Sequence, residues 1–441
     1  MRTTKEAADY LGISPRRVVA LIQSGFLEAE KAGGIWLVDD ASLELRAHEG
    51  QRHVGRPRIG SKPAETSYLL KNRTYDLARV VYDSSRKEFT SVGPLVDVDR
   101  APLGLMNSRK RISVASFNTW WRNRGIPEGR PALTAMLAEE NSAIPFELAV
   151  RGLGLSLSDQ YWICPEGSGL RWEELNYFDN GFGNAPGAFR EEAILKNPDN
   201  TSDGVLPKHW VIENGKRRLL KGGGPLMQEP YNEVVATSLY RRLIGDTGFV
   251  PYTIDHIEGL PVSSCPEFLT DKEEFVAADY VVRTRTQAAH HNEYQHYLEC
   301  CYALGVEGIE RQVAYMVVGD DILANADRHY RNFGIIRNVE TLQCRPAPIF
   351  DSGTSLWCKK TLAELKRGDF TFTSRPFNPE PSRQLSLIPD LSWIDVEALE
   401  GFVPEAVGIL SENSLLAERM PFIEEGLQHR VDRICAIRGY L

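Results

Sequence analysis

Asp327 and Asn332 stand five residues apart in the run Asp-Arg-His-Tyr-Arg-Asn, and Asp351 opens an Asp-Ser-Gly triplet 24 residues further on. Moving a phosphoryl group onto a hydroxyl requires a carboxylate to accept the hydroxyl proton and further oxygen ligands to hold Mg²⁺. The five-residue spacing lets one loop offer both, with Asp327 as proton acceptor and Asn332 as metal ligand. Asp351 follows the apolar Pro348-Ile349-Phe350, which sets it at a strand end as a second metal ligand. The upstream half must then supply a cation for the phosphates and an acid to hold that cation. Lys221 ends the run Arg-Arg-Leu-Leu-Lys, and Glu233 follows twelve residues later in a helix expected from about Tyr231 to Leu243. Ahead of them, the loop Thr201-Ser202-Asp203-Gly204-Val205-Leu206-Pro207-Lys208 has exposed N–H groups that can cradle phosphates.

Each piece has a plain structural alternative. An Asp and an Asn at this spacing arise by chance, an Asp-Ser-Gly is a turn, Lys221 can be a solvated strand end, and Glu233 can simply face a helix dipole. What argues for one site is their order, loop, Lys, Glu, Asp/Asn and Asp, over the 150 residues from Thr201 to Asp351. Trp120 and Trp121 read as core rather than as a stacking platform, and His290 and His291 as surface without convergent ligands.

These groups need elements to position them. After residue 200 the pattern runs strand, strand, helix; residues 287–326 are largely helical up to the Asp327 loop; and beyond 380 the chain is again mostly helical. The first 46 residues form a separate module. Thr4 can cap a short helix with Ala7, Ala8 and Leu11 on its apolar side, and Gly12 ends it. Ser14 and Pro15 open a second helix that buries Val18, Val19 and Ile22 and leaves Arg16 and Arg17 exposed. A hairpin around Gly33-Gly34 completes a winged helix-turn-helix. Residues 47–64 are basic and rich in Gly and Pro, as a linker is.

At 441 residues the chain exceeds the size at which one core stops growing, so two or more domains are expected. Residues 1–62 carry ten Lys/Arg against eight Asp/Glu, and the remainder 41 against 52, which places a mildly basic head on an acidic body. There is no apolar run long enough for a membrane helix, no signal-peptide core and no Cys-x-x-Cys pair among seven cysteines. The expectation is a cytoplasmic protein without disulfides or zinc.

The run from TSDGVLPKHWVI through LLK, YNEVVA, NADRHYRNFG and PIFDSG resembles the HipA-like kinases, a branch of the protein-kinase-like superfamily. LSLSDQYWI and TFTSRPF extend the resemblance over about residues 65–440. It implies an α+β, two-lobed protein-kinase-like fold, with an N-terminal lobe over 65–268 and a mainly helical C-terminal lobe over 269–441. It also implies ATP and Mg²⁺ between the lobes and transfer to Ser or Thr of a protein. Asp327 would then accept the proton, Asn332 and Asp351 hold Mg²⁺, and Lys221, braced by Glu233, meet the phosphates above the 203–208 loop. Cys265 to Phe268, with Glu267 and Phe268, match the hinge that reads adenine. Phe350 and His329 fall in the same nucleotide site, His329 as a brace for its loop. The family's autophosphorylated loop serine corresponds to Thr201 or Ser202.

The head resembles excisionase and MerR-type domains. That implies binding of duplex DNA through residues 1–60, with Ser14, Arg16 and Arg17 at the major groove and Lys31 on the wing at phosphate. Gly55-Arg56-Pro57-Arg58 resembles an AT-hook core, with Arg56 entering a minor groove. The expected whole is a toxin-like Ser/Thr kinase that binds its own operator, with an antitoxin and a second copy of the chain as candidate partners. The rival readings are a transcription regulator that senses a nucleotide and a small-molecule or lipid kinase.

Overall fold

The structure, a computed structural model, describes residues 1–11, 13–23, 27–32, 35–43, 65–124, 145–182 and 206–439. It divides into two compact units, Met1–Ala64 and Glu65–Leu441.

In the first unit, strand β1 (Arg2–Thr3) leads into helices α1 (Thr4–Leu11) and α2 (Pro15–Gln23), then strands β2 (Ala29–Ala32) and β3 (Ile35–Val38). The sheet runs β1-β3-β2, all antiparallel, so the expected hairpin gains a third strand from the first residues of the chain. The cap of α1 lies one residue earlier than expected. Thr3 Oγ1 accepts the Glu6 N–H at 3.3 Å while Glu6 accepts the Thr3 N–H at 2.9 Å, a reciprocal box that Thr4 cannot form. Ala7, Ala8, Val18, Leu21, Leu27, Val38 and Leu43 make the small core.

The second unit opens with β4 (Glu65–Asn72), β5 (Tyr75–Asp83) and β6 (Glu88–Val92), joined by β7 (Tyr161–Pro165) in the antiparallel order β6-β5-β4-β7. Helix α3 (Val114–Arg124) packs on it through Phe117, Trp120 and Trp121. Trp121 is fully buried with its ring edge-on to Phe89 at 5.2 Å, so the Trp pair is core.

The next sheet, β10-β11-β9-β8, is built from β8 (Lys208–Glu213), β9 (Lys216–Lys221), β10 (Thr253–Ile257) and β11 (Leu260–Pro266). Between β9 and β10 runs helix α4 (Gln228–Ile244), which begins three residues before the position expected from the sequence. Its C-terminus is set by Gly245 at φ 75°, a conformation open to glycine, whose N–H reaches Arg241 O at 3.0 Å. A third sheet, β12 (Glu273–Ala277), β13 (Gly334–Asn338) and β14 (Cys344–Pro346), frames the Asp327 loop. Helices α5 (Glu293–Ala303), α6 (Ile309–Ile322), α7 (Phe402–Ser411) and α8 (Met420–Gly439) surround one large core with α4. Val313, Val317 and Ile322 of α6 are almost wholly buried, each contributing about 1.5–3 kcal/mol relative to exposure. That anchors the helix whose end leads into the Asp327 loop. Among the described residues no helix is long and apolar enough to cross a membrane.

Candidate active site

Lys221 closes β9 with only 4% of its surface exposed, and its ammonium is ion-paired to the carboxylates of both Glu233 and Asp351. Strand, helix and post-loop segment, spread over 130 residues, therefore meet at one nitrogen. Burial alone would lower the Lys221 pKa, but the Asp351 and Glu233 charges outweigh it and hold the group above the ordinary lysine value. Burial likewise works against the Asp351 carboxylate. Lys221 first and Lys208 second overcome it and keep Asp351 far below the usual carboxylate range.

Lys208 stands directly opposite Lys221 in the β8–β9 register. Like charges facing across a ladder repel, and here the Glu233 and Asp351 carboxylates at Lys221 offset that repulsion. Leu206 is half-buried and Pro207 exposed, with Pro207 O accepting the Gly222 N–H at 2.9 Å. Thr201, Ser202, Asp203, Gly204 and Val205 lie outside the described residues.

Glu233 is held in turn. Its second oxygen accepts the Ser352 N–H at 2.9 Å, which ties α4 to the backbone just past Asp351. Asp351 itself has φ 59°, in the left-handed region that a non-glycine residue enters at a cost. Gly353 sits tightly in the turn: a Cβ there would lie 3.2 Å from Glu229 O and 3.3 Å from Glu233 Oε1.

The Asp327 loop leaves α6 through Asn325, whose side chain donates to Asp320 Oδ1 at 2.8 Å and accepts the Asp327 N–H at 3.0 Å. Asn332 Nδ2 donates to Asp327 O at 2.9 Å, which ties the two ends of the loop together. Among the described residues no donor reaches the Asp327 carboxylate. His329 accepts the Arg331 N–H at 3.2 Å through Nδ1 and braces the loop.

Beneath the loop lies Arg328, which sequence reasoning passed over. Fully buried, it donates to both Asp320 oxygens at 2.8 and 3.0 Å, to Asn332 O and Ser352 Oγ at 2.9 Å, and to Phe350 O. One guanidinium thus clamps the Asp327–Asn332 loop to the Asp351 segment. Burial opposes its charge and Asp320 more than restores it. Tyr252 was missed as well. Lys221 Nζ lies 5.2 Å from its ring centre, and its hydroxyl accepts the Asp351 N–H at 3.5 Å. The Asp-Arg step and Asp320 eight residues upstream were a readable signal for Arg328. Nothing local marks Tyr252.

After β11, Glu267 and Phe268 enter the same neighbourhood. Phe268 stacks on Phe350 with ring centres 5.5 Å apart, and Phe275 meets Phe350 edge-on at 5.3 Å. The buried Cys265 and Val250 pack with these rings, giving an apolar wall beside the charged cluster. Glu267 Oε1 accepts the Leu269 N–H at 2.9 Å, while Oε2 is buried with no hydrogen-bond partner among the described residues. Burial pushes this carboxyl up to about 8.

The donor set suits a hard cation. Asp351 and Asn332 offer oxygen ligands, as Mg²⁺ prefers. Among the described residues no three His, Cys, Asp or Glu side chains cluster to hold a metal by themselves, so phosphate oxygens and water would complete the shell.

In the head, Arg16 is exposed on the first turn of α2, which Arg17 shares. Ser14 precedes that helix, also exposed. Lys31 on β2 is exposed and lies 5.5 Å from the ring of Trp36, its register partner on β3. Arg56 lies outside the described residues.

Residues 3–48 match the family described as a helix-turn-helix domain. No curated protein matches the chain. Among solved structures, HipA from the Shewanella oneidensis MR-1 toxin–antitoxin system, in complex with HipB and operator DNA, is similar to 84% of this chain over 99% of its own. The identity is 13% and the TM-score 0.50. The Helicobacter pylori proinflammatory kinase CtkA aligns with 52% of this chain over 96% of its own, at 17% identity and a TM-score of 0.35. The chain therefore pairs a helix-turn-helix domain with a HipA-like fold.

Proposed function

We propose that this chain, a helix-turn-helix head on a HipA-like kinase fold, is an ATP- and Mg²⁺-dependent protein kinase acting on Ser or Thr. The observation that carries the reading is Lys221, buried between Glu233 and Asp351 beside a loop that presents Asp327 and Asn332. An ammonium has three N–H donors. Two meet carboxylates here, and the third remains for a phosphate oxygen. Asp327 is placed on its loop with a carboxylate free to accept the hydroxyl proton of a substrate. Asn332 and Asp351 would hold the metal, and the Phe268–Phe350 wall offers a purine an apolar face. Bound Mg²⁺ would neutralise charge on the transferring phosphoryl group and fix its orientation.

The head extends the reading to DNA. Arg16 on α2 and Lys31 on the wing are the groups offered to a groove and to phosphate, and Ser14, Arg17 and Arg56 join them in the proposal. A toxin role, an antitoxin partner, a paired copy on adjacent half-sites and self-modification at Thr201 or Ser202 belong to the same proposal.

Calorimetry with Mg²⁺ and ATP tests the nucleotide site. Lys221→Met should weaken ATP binding on the order of tenfold, because a charged hydrogen bond to phosphate is lost. Unchanged affinity removes Lys221 from the site.

A further inference from the structure

A cavity of about 710 Å³ opens at α4's N-terminus, and none of the candidate nucleotide-site residues lines it. Its walls come from three stretches, 224–229, 358–362 and 414–419. The first follows Lys221 and opens the helix of Glu233, and the second follows Asp351. An occupant would therefore touch both segments that position the candidate catalytic cluster.

The walls are fastened to one another. Asn413 Nδ2 donates to Leu226 O at 2.8 Å and to Met227 O at 3.2 Å. Arg419 donates to Lys360 O at 2.7 Å and Trp357 O at 2.8 Å, and Gln228 donates to Leu356 O at 3.0 Å. All three side chains are buried, so the cavity is pre-shaped rather than a gap between loose loops. Its size lies in the range of ligand-sized clefts.

Two features define what fits. Leu415 lines the cavity with 57% of its surface exposed, near Pro225, Leu226 and Leu362, so one part is aliphatic. Lys359 also lines it, exposed and without an ion pair among the described residues, whereas its neighbour Lys360 is held by Asp369 at 2.6 Å. One turn beyond Leu362 along the helix Leu362–Lys366, Lys366 and then Arg367 are likewise exposed with no ion pair among the described residues. Exposed Glu418 and half-buried Glu229, which accepts the Gly224 N–H at 3.0 Å, are the opposing charges on the walls. Lys359 is thus the cation on these walls that is exposed and has no ion pair among the described residues, beside an apolar depression.

We propose that the cavity docks an acidic, aliphatic segment of the protein substrate, a carboxylate meeting Lys359 and a leucine-like side chain packing on Leu415. The inference rests on the protein-kinase reading, and charge complementarity selects the partner. A short stretch with both features would anchor the substrate beside the Asp351 segment and apart from the nucleotide.

The test uses the full chain, Mg²⁺, ATP and synthetic acceptor peptides carrying Ser or Thr followed by Glu-Leu, Lys-Leu or Gly-Gly pairs. The Glu-Leu series should show the lowest KM. Lys359→Glu should raise that KM about tenfold, leave kcat and the KM for ATP unchanged, and shift preference toward Lys-Leu. Leu415→Asp should raise it in all leucine-bearing peptides. Anisotropy of a labelled Glu-Leu peptide reads docking without turnover. Equal KM across the three series, or unchanged KM and anisotropy in both variants, overturns the docking site and leaves the kinase reading intact. Saturable peptide binding that both variants lose, with no transfer to any acceptor, supports the docking site and sinks the kinase reading. A Leu415→Asp variant changed only in its mass in solution would put a second copy of the chain on the cavity, against the proposal.

Discussion

The Asp327 loop and the helix-turn-helix head both present charged side chains, but they hold them in opposite ways. Around the loop, charge is buried and mutually satisfied. Arg328, Lys221 and Glu233 are each at most 4% exposed, and each is tied to groups far away in sequence. In the head Arg16 and Lys31 are exposed, and among the described residues a core of seven small or medium apolar side chains supports them. Buried ion pairs are weak sources of net stability, yet removing one partner strands the other without solvent. Surface charges can be removed at little structural cost. A substitution in the body should therefore disturb architecture together with chemistry, while one in the head should disturb binding alone.

The largest effect is expected at Arg328. Arg328→Met leaves Asp320 buried without its cation and should cost about 3–5 kcal/mol of stability, read as a lowered midpoint in urea. It should also separate the Asp327 loop from the Asp351 segment. A midpoint equal to that of the parent protein would mean the clamp is not what joins them.

Next comes the head. Arg16→Ala combined with Arg17→Ala should cost about 1–3 kcal/mol per arginine in binding the chain's own promoter, with phosphotransfer and melting of the body unaltered. Mobility shifts across a salt series check it. A double variant that shifts DNA as well as the parent protein would make the head a protein-docking module.

A smaller, pH-dependent effect belongs to Glu267. Its folded pKa is raised to about 8 by burial, so between the ordinary glutamate value and about 8 the folded state holds a proton that the unfolded state has released. Stability must fall as pH rises through that window. Asp351 has the opposite sign: its depressed folded value contributes stability above the ordinary Asp range, lost only as pH falls through the folded value. Glu267→Gln should flatten the decline of urea midpoint between pH 5 and about 8. A decline of equal slope in the variant contradicts the assignment.

The smallest is Thr3→Ala, which removes the α1 cap and should cost about 1 kcal/mol in the head and nothing in the body. Separate hydrogen-exchange readings of the two units would resolve it.

This contrast also explains what the sequence could reveal. Lys221, Glu233, Asp327, Asn332 and Asp351 were singled out by the residue types and order that phosphoryl chemistry would require, and the structure brings Lys221, Glu233 and Asp351 together. Arg328 had a local mark in Asp320 that was passed over, while Tyr252 was not singled out because its partners Lys221 and Asp351 lie across the fold. The early start of α4 has the same cause. Gln228 and Asn232 are polar residues at buried positions, and only the backbone carbonyls of Leu356, Gly353 and Ser355 explain them. In the head, the helices and hairpin followed from local periodicity and turn residues. The pairing of Arg2–Thr3 with β3 spans more than thirty residues and had no local mark.

The central claim is that Asp327 accepts the proton as phosphate moves to a hydroxyl. Its carboxylate takes no hydrogen bond among the described residues, so Asp327→Asn should fold and bind ATP as the parent protein does. Single-turnover transfer from ATP, read by mass on the 201–202 peptide and on acceptor protein, is the direct measurement. A loss of about 10²-fold or more with unchanged melting is the predicted result, and transfer at near the parent rate would contradict the account.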